Sequence, residues 1–217
     1  MNHIHRLPGA IACIIAFCLA FPAAQAQGLP AVRILPLGDS ITGGCCSDQL
    51  SGSYRKRLHL LLTGAGYNAD FVSTLNDTPD PPDFTDTDHQ GEDGYRIEHI
   101  DASVGIWLKK INDPDVILIH AGTNNFWVGA DLDDVETRLV KLLDTVCGLR
   151  PHAKVIVASL ILRDDSYEEI QAEFAAQLPR IVSEQTAMGR NVTFLDLHQS
   201  LDPGYLMPDN VHPRGKC

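Results

Sequence analysis

An α/β fold is expected for this chain, a three-layer α/β/α sandwich built on a parallel sheet of five strands. Short β-rich runs alternate with amphipathic stretches along most of its length. Two of those runs, 115–121 and 154–160, are almost continuously apolar, the pattern of strands covered on both faces. Strands that alternate with helix-length connections lie parallel and are joined by right-handed crossovers.

In chain order, 32–37 is the first strand candidate. Tyr54, Leu58, Leu61, Leu62 and Ala65 then share one helical face, with Gly66 as a stop. A second strand is expected at 70–73. The stretch 76–94 is rich in Asp, Pro and Thr without apolar periodicity, and predicts a long polar loop of the kind that is usually functional or mobile. Ile97, Ile100, Val104, Trp107, Leu108 and Ile111 form the next stripe, which makes Trp107 a core residue. The strand 115–121 follows, then a helix carrying Leu132, Val135, Leu139, Leu142 and Val146. After the strand 154–160 comes a helix with Ile170, Phe174, Leu178, Ile181 and Val182. Pro179 is expected to kink it and Gly189 to end it. The last strand is 192–197. Ligands of such sheets bind at the carboxyl ends of the strands, where Ser40 and Gly122 to Asn125 fall.

The first 26 residues stand outside this pattern. Arg6, the apolar run from Ile11 to Phe21, and Ala24-Gln25-Ala26 predict a secretory signal peptide over 1–26, leaving a domain at 27–217. Without the leader, 16 basic and 28 acidic residues give a formal charge of −12. Such acidity disfavours nucleic acid as a partner, and no later segment predicts stable membrane association. Cys45, Cys46, Cys147 and Cys217 would remain after cleavage, and export favours disulfides. Neither cysteine spacing nor neighbours suggest a metal site, and no cofactor is expected.

Gly38-Asp39-Ser40 follows the first apolar run, and Asp209-Asn210-Val211-His212 lies near the end. A serine hydroxyl attacks poorly unless a base takes its proton. His212 is the candidate base, with Asp209 to hold the ring and stabilise its charged form. Asp39 is expected to support the turn. His89, in the polar loop, reads as a solvated histidine.

With Gly91-Glu92-Asp93-Gly94-Tyr95 and Gly122-Thr123-Asn124-Asn125 between those two segments, the chain resembles the SGNH (GDSL) hydrolase superfamily, whose four blocks occur here in order over roughly residues 32–213. Ser53-Tyr54-Arg55, Asp70-Phe71-Val72, Asp88-His89-Gln90-Gly91 and Gly94-Tyr95 look most like carbohydrate esterase family 3, mostly acetylxylan esterases. The resemblance implies a flavodoxin-like sheet and a secreted serine esterase that removes O-acetyl groups from xylan or a similar acetylated polysaccharide. It also implies an oxyanion hole from the Ser40 and Gly94 backbone N–H groups and the Asn124 side-chain amide. A side chain at residue 94 would obstruct the acyl group.

Asn125 stands where the family usually has Asp, a change expected to affect loop support. The family continues past His212 into a final helix, whereas this sequence stops at Cys217, so the expected fold lacks that helix and leaves apolar sheet surface uncovered. If Ser40 meets His212, Cys45 or Cys46 comes near Cys217 and a bridge is expected to tie down the tail. Trp127 reads equally as an apolar platform for a sugar ring or as a packing residue. A lipase-like or aryl esterase on the same scaffold, and a non-catalytic carbohydrate-binding relative, are the competing functional readings.

Overall fold

The computed structural model describes residues 30–45, 52–76, 84–161, 166–197, 206–209 and 211–213. The expected leader, Cys46 and Cys217 lie outside the described residues. Cys147 is a buried thiol within the core, and burial pushes its pKa up.

The chain runs β1 (Val32–Asp39), α1 (Ser40–Gly43), α2 (Ser53–Gly64), β2 (Ala69–Phe71), β3 (Leu75–Asn76), β4 (Asp88–Glu92), α3 (Ile97–Trp107), β5 (Val116–His120), α4 (Thr123–Trp127), α5 (Leu132–Leu149), β6 (Lys154–Ala158), α6 (Glu168–Ala187) and β7 (Val192–Leu195). All five expected strands form, and β1, β5, β6 and β7 pair in parallel in that order. On its other side β1 has two short parallel neighbours. β2 pairs with Val32 to Ile34, and β4 with Leu37 to Asp39. The order across the sheet is therefore flavodoxin-like. The chain reverses its direction of travel across the sheet at β1 and β5, whose carboxyl ends open the crevice in which such folds bind ligands.

β3 and β4 correct the expectation of an unstructured 76–94 loop. β4 adds a parallel strand inside that stretch, and β3 pairs antiparallel with it. Its sequence, Asp88-His89-Gln90-Gly91-Glu92, has no apolar alternation to reveal it. The polar side chains are buried because they satisfy one another. Gln90 is fully buried, accepts from the Thr74 backbone and hydroxyl at 3.2 and 2.8 Å, and donates to Glu92 at 3.0 Å. His89 is likewise buried, with Nδ1 accepting from the Gly91 N–H, so the expectation of a solvated histidine is also corrected.

The two faces of the sheet are covered unequally among the described residues. Ile97, Ile100 and Val104 of α3, Leu139, Leu142 and Val146 of α5, and Phe174, Leu178 and Ile181 of α6 pack with Ile117, Ile119, Val155 and Val157 in one large core. The opposite face is covered by α2, through Leu58 and Leu62 against Ile34, Phe71 and Phe84. Alternate residues Val116, Leu118 and Ile156 are only half-buried there, so β5 and β6 are not the doubly covered strands their apolar runs predict. Trp107 is half-buried against the large core, and α6 continues through Pro179 to Ala187.

Candidate active site

β1 delivers Ser40 to the carboxyl edge of the sheet. Six consecutive buried residues, Ile34 to Asp39, anchor the strand, and the chain then turns directly into the single-turn helix α1. Gly38 makes that turn possible. A Cβ there would lie 2.3 Å from both the His120 carbonyl and the Thr42 hydroxyl, so any side chain would force β1 and β5 apart. Asp39 caps α1, its Oδ1 accepting from the Ile41 N–H at 3.0 Å. Ser40 is 9% exposed as the first residue of α1.

A fully buried arginine, whose role sequence reasoning missed, holds this turn from behind. Arg55 of α2 donates from Nε to the Thr42 carbonyl at 3.0 Å and from its two terminal nitrogens to Gly43 at 2.9 Å and Thr87 at 2.6 Å. It therefore fastens the Ser40 turn to the chain entering β4. The sequence signal was the tripeptide Ser53-Tyr54-Arg55; Ser53 also donates, to the Ile41 carbonyl at 2.6 Å.

The segment 206–213 supplies the other half. Asp209 Oδ1 accepts from the Val211 and His212 N–H groups at 2.9 and 3.0 Å, a local turn that faces the imidazole back toward the carboxylate. His212 Nδ1 stands 2.7 Å from Asp209 Oδ2, and Nε2 stands 2.9 Å from Ser40 Oγ. The network assigns the ring proton to Nδ1, donating to Asp209, and leaves Nε2 to accept from the Ser40 hydroxyl. The segment is closed by a bridge between Leu206 and Pro213 and by the Met207 N–H on the His212 carbonyl at 2.7 Å. Leu206 packs into a small apolar cluster with Ile41 and Ile161, seating the segment against α1. Burial raises the Asp209 pKa, but the two backbone N–H bonds and the imidazole outweigh it and hold the carboxyl below its ordinary range.

Gly94 and Asn124 approach the same rim from either side of β1. β4 is level with β1 at Glu92 opposite Asp39, so Gly94 stands two residues beyond, in a turn with φ +73° that a side chain would strain. Chain neighbours aside, no atom of the described residues stands within 4 Å of the Cβ a substitution there would add. Asn124 follows β5 on α4, and its Nδ2 donates to the Tyr95 carbonyl at 2.9 Å. One amide hydrogen thus orients the side chain toward the Gly94 turn, and the other is left for a second acceptor. Asn125 is fully buried and braces the same loop, accepting from the Ile97 N–H at 3.0 Å and donating to Glu98 at 2.9 Å. Because Glu98 is a carboxylate facing it, an amide at residue 125 bonds where a second carboxylate would be repelled.

The structure thus joins Ser40, His212 and Asp209 by hydrogen bonds and links Asn124 to the Gly94 turn. Trp127 stands apart, one helical turn past Asn124 at the outer end of α4. It is 58% exposed, with its ring 6.0 Å from that of Tyr167. Chemically, the arrangement is a hydroxyl able to pass its proton to a carboxylate-backed imidazole beside a rim of N–H donors. Such a site suits attack on a carbonyl carbon and stabilisation of the oxyanion that results.

Residues 37–216 match the sequence model of the GDSL-like lipase/acylhydrolase family. A multidomain esterase of Ruminococcus flavefaciens is 30% identical over 213 residues, which span 84% of this chain and 26% of that protein. The chain therefore spans about a quarter of the length of this curated relative. Among solved structures, a Clostridium thermocellum family 3 carbohydrate esterase superposes with a TM-score of 0.75 at 29% identity, covering 86% of this chain and 89% of that one. A family 3 carbohydrate esterase from Talaromyces cellulolyticus gives a TM-score of 0.73 at 26% identity, covering 85% and 89%.

Proposed function

Because this chain belongs to the GDSL-like lipase/acylhydrolase family, we propose that it is a secreted esterase in which Ser40 is the nucleophile, His212 the base and Asp209 the residue that orients His212. It is a carboxylic-ester hydrolase of SGNH type, close to carbohydrate esterase family 3. The observation that carries the site assignment is the unbroken path from Ser40 Oγ through His212 to Asp209, at 2.9 and 2.7 Å.

In this reading Ser40 Oγ attacks the acyl carbon as its proton passes to His212 Nε2. The carbonyl oxygen becomes an anion beside the Ser40 and Gly94 backbone N–H groups and the Asn124 amide, and losing one such donor costs about 3 kcal/mol of transition-state stabilisation. Collapse expels the alcohol, which takes the proton from His212. Water, deprotonated by the same imidazole, then releases the acid and restores Ser40.

The substrate class is an acetylated polysaccharide such as acetylxylan. Likeness to two family 3 carbohydrate esterases supports that choice, as does the exposed Trp127 beside Tyr167, an apolar face on which a sugar ring can stack. Residues 1–26 carry the secretion signal and 27–217 the catalytic domain, and no helix of the described residues is long and apolar enough to cross a membrane.

Acetate release from acetylated xylan, compared with release from long-chain acyl esters, aryl esters and phospholipid, tests this reading. Wild-type protein is expected to prefer the acetylated polysaccharide, and Ser40→Ala to lose at least about 10⁴-fold in rate. Preference for a long-chain or aryl ester contradicts the substrate class, and retained activity in Ser40→Ala contradicts the site.

A further inference from the structure

We propose that Glu98 is a positioning residue of this site. Through Asn125 it sets the Asn124 amide against the Gly94 turn, and the carboxylate at residue 98 and the amide at residue 125 work as one pair. The proposal rests on the reading of Gly94 and Asn124 as oxyanion donors.

Those two donors come from different strands. Gly94 follows β4 and Asn124 follows β5, with β1 between them. Both lie past the last paired residues of their strands, Glu92 and His120, so the sheet itself does not set the gap between them. The segment 95–98, which leads from Gly94 into α3, does. Asn124 Nδ2 donates to the Tyr95 carbonyl at 2.9 Å, and Asn125 Oδ1 accepts from the Ile97 N–H at 3.0 Å. Asn125 Nδ2 donates to Glu98 Oε2 at 2.9 Å. Only the first of these bonds touches the Asn124 side chain. The other two hold its backbone through the next residue.

Asn125 is fully buried, so both ends of its amide need partners, and its NH2 needs one that accepts. Glu98 is that acceptor and is itself held. Its Oε1 accepts from Arg138 of α5 at 2.7 Å and stands 3.2 Å from Arg96 Nε. Arg138 also bonds Asp134 at 3.3 Å, and Arg96 is backed by His99 at 3.0 Å. Burial raises the Glu98 pKa, but its own backbone N–H, Asn125 and Arg138 outweigh that and hold the carboxyl below its ordinary range. The acceptor is therefore charged, and its bonds are the stronger for it. Helices α3, α4 and α5 meet at its two oxygens.

The same partners can be satisfied in one other way. With a carboxylate at residue 125 and an amide at residue 98, the Ile97 N–H keeps its acceptor. The amide NH2 then donates to that carboxylate, and the amide oxygen still accepts from Arg138. Carboxylates at both positions face one another at hydrogen-bond distance and either repel or trap a proton. Amides at both positions turn one NH2 on another donor. The pair is thus coupled: either residue alone is wrong without its match.

The full chain is assayed with 4-nitrophenyl acetate and with its thionoacetate analogue. Sulfur accepts hydrogen bonds poorly, so the oxygen-to-sulfur rate ratio reads the oxyanion donors themselves. Asn125→Asp is expected to lower kcat about tenfold at about pH 9, where the two carboxyls no longer share a proton, with KM nearly unchanged and a smaller ratio. Glu98→Gln alone should cost about threefold. Together the two changes should bring kcat to within about threefold of wild type and restore the ratio, a rescue that lost stability does not produce. A folded Asn125→Asp protein with wild-type kcat and ratio overturns the proposal, and so does a double variant no better than Asn125→Asp. If Asn125→Asp does not fold, Glu98→Ala decides, and unchanged kcat and ratio there overturn the proposal. Asn124→Ala is run alongside and should lose about 10²-fold with the ratio collapsed. Wild-type values in that control would indict the reading of Asn124 as a donor instead of the pair.

Discussion

The two halves of the site are held in place by opposite means. Ser40 follows a strand whose last six residues are buried, and its turn is capped by Asp39 and pinned by the guanidinium of Arg55. His212 belongs to a short segment in which Asp209 makes three bonds to residues within three positions of itself, and among its described residues only Leu206 reaches a buried cluster. The nucleophile is placed by the fold, and the base by a local turn with one apolar anchor. A local turn can open without global unfolding, whereas β1 cannot move without breaking the sheet. The halves should therefore fail differently.

Among changes that keep the Ser40 hydroxyl, the largest expected effect is on the base half. Asp209→Asn loses the acceptor that fixes the ring tautomer and should lower kcat on the order of 10³–10⁴-fold, with circular dichroism and Tm close to wild type. The pH dependence sharpens this. Asp209 is held below the ordinary carboxylate range, so its ionised form favours the folded segment. That contribution is fully present above the pKa of an unfolded Asp and is lost as pH falls through the lower folded value. Asp209 therefore stays charged across neutral pH, and a pH profile of the wild-type enzyme checks that its protonation costs no activity there.

Next comes the nucleophile half. Arg55→Met strands the carbonyls of Thr42, Gly43 and Thr87 and should cost about 3 kcal/mol of global stability, read as a fall in denaturant midpoint along with activity. Smallest is Leu206→Ala, which loosens the anchor of the base segment. Rate is expected to fall about tenfold while the global transition moves little, and hydrogen exchange should quicken at Val211 and His212 before it does in β1. A Tm loss in Leu206→Ala equal to that of Arg55→Met would erase the distinction between the halves.

How much of this was legible in the sequence follows from what buries each group. Helices and apolar strands announce themselves by periodicity, and Ser40, Asp209 and His212 by short motifs whose residues the fold brings into contact. β4 was hidden because Gln90 and His89 are buried through hydrogen bonds, not through hydropathy. Arg55 was visible as part of a motif, but not as the clamp of the Ser40 turn, since its acceptors are carbonyls that no sequence pattern encodes. His120 sits at the end of a run that reads as ordinary core strand, and only the register of β5 on β1 sets it level with Gly38.

The central claim is that the hydroxyl of Ser40 becomes acylated because His212 takes its proton. A fluorophosphonate labelling experiment read by peptide mass spectrometry tests it directly. The account predicts one adduct, on the peptide containing Ser40, formed rapidly in the wild-type protein and lost in His212→Ala. Ester hydrolysis that persists with Ser40 unlabelled, or labelling of Ser40 at an unchanged rate in His212→Ala, would contradict it.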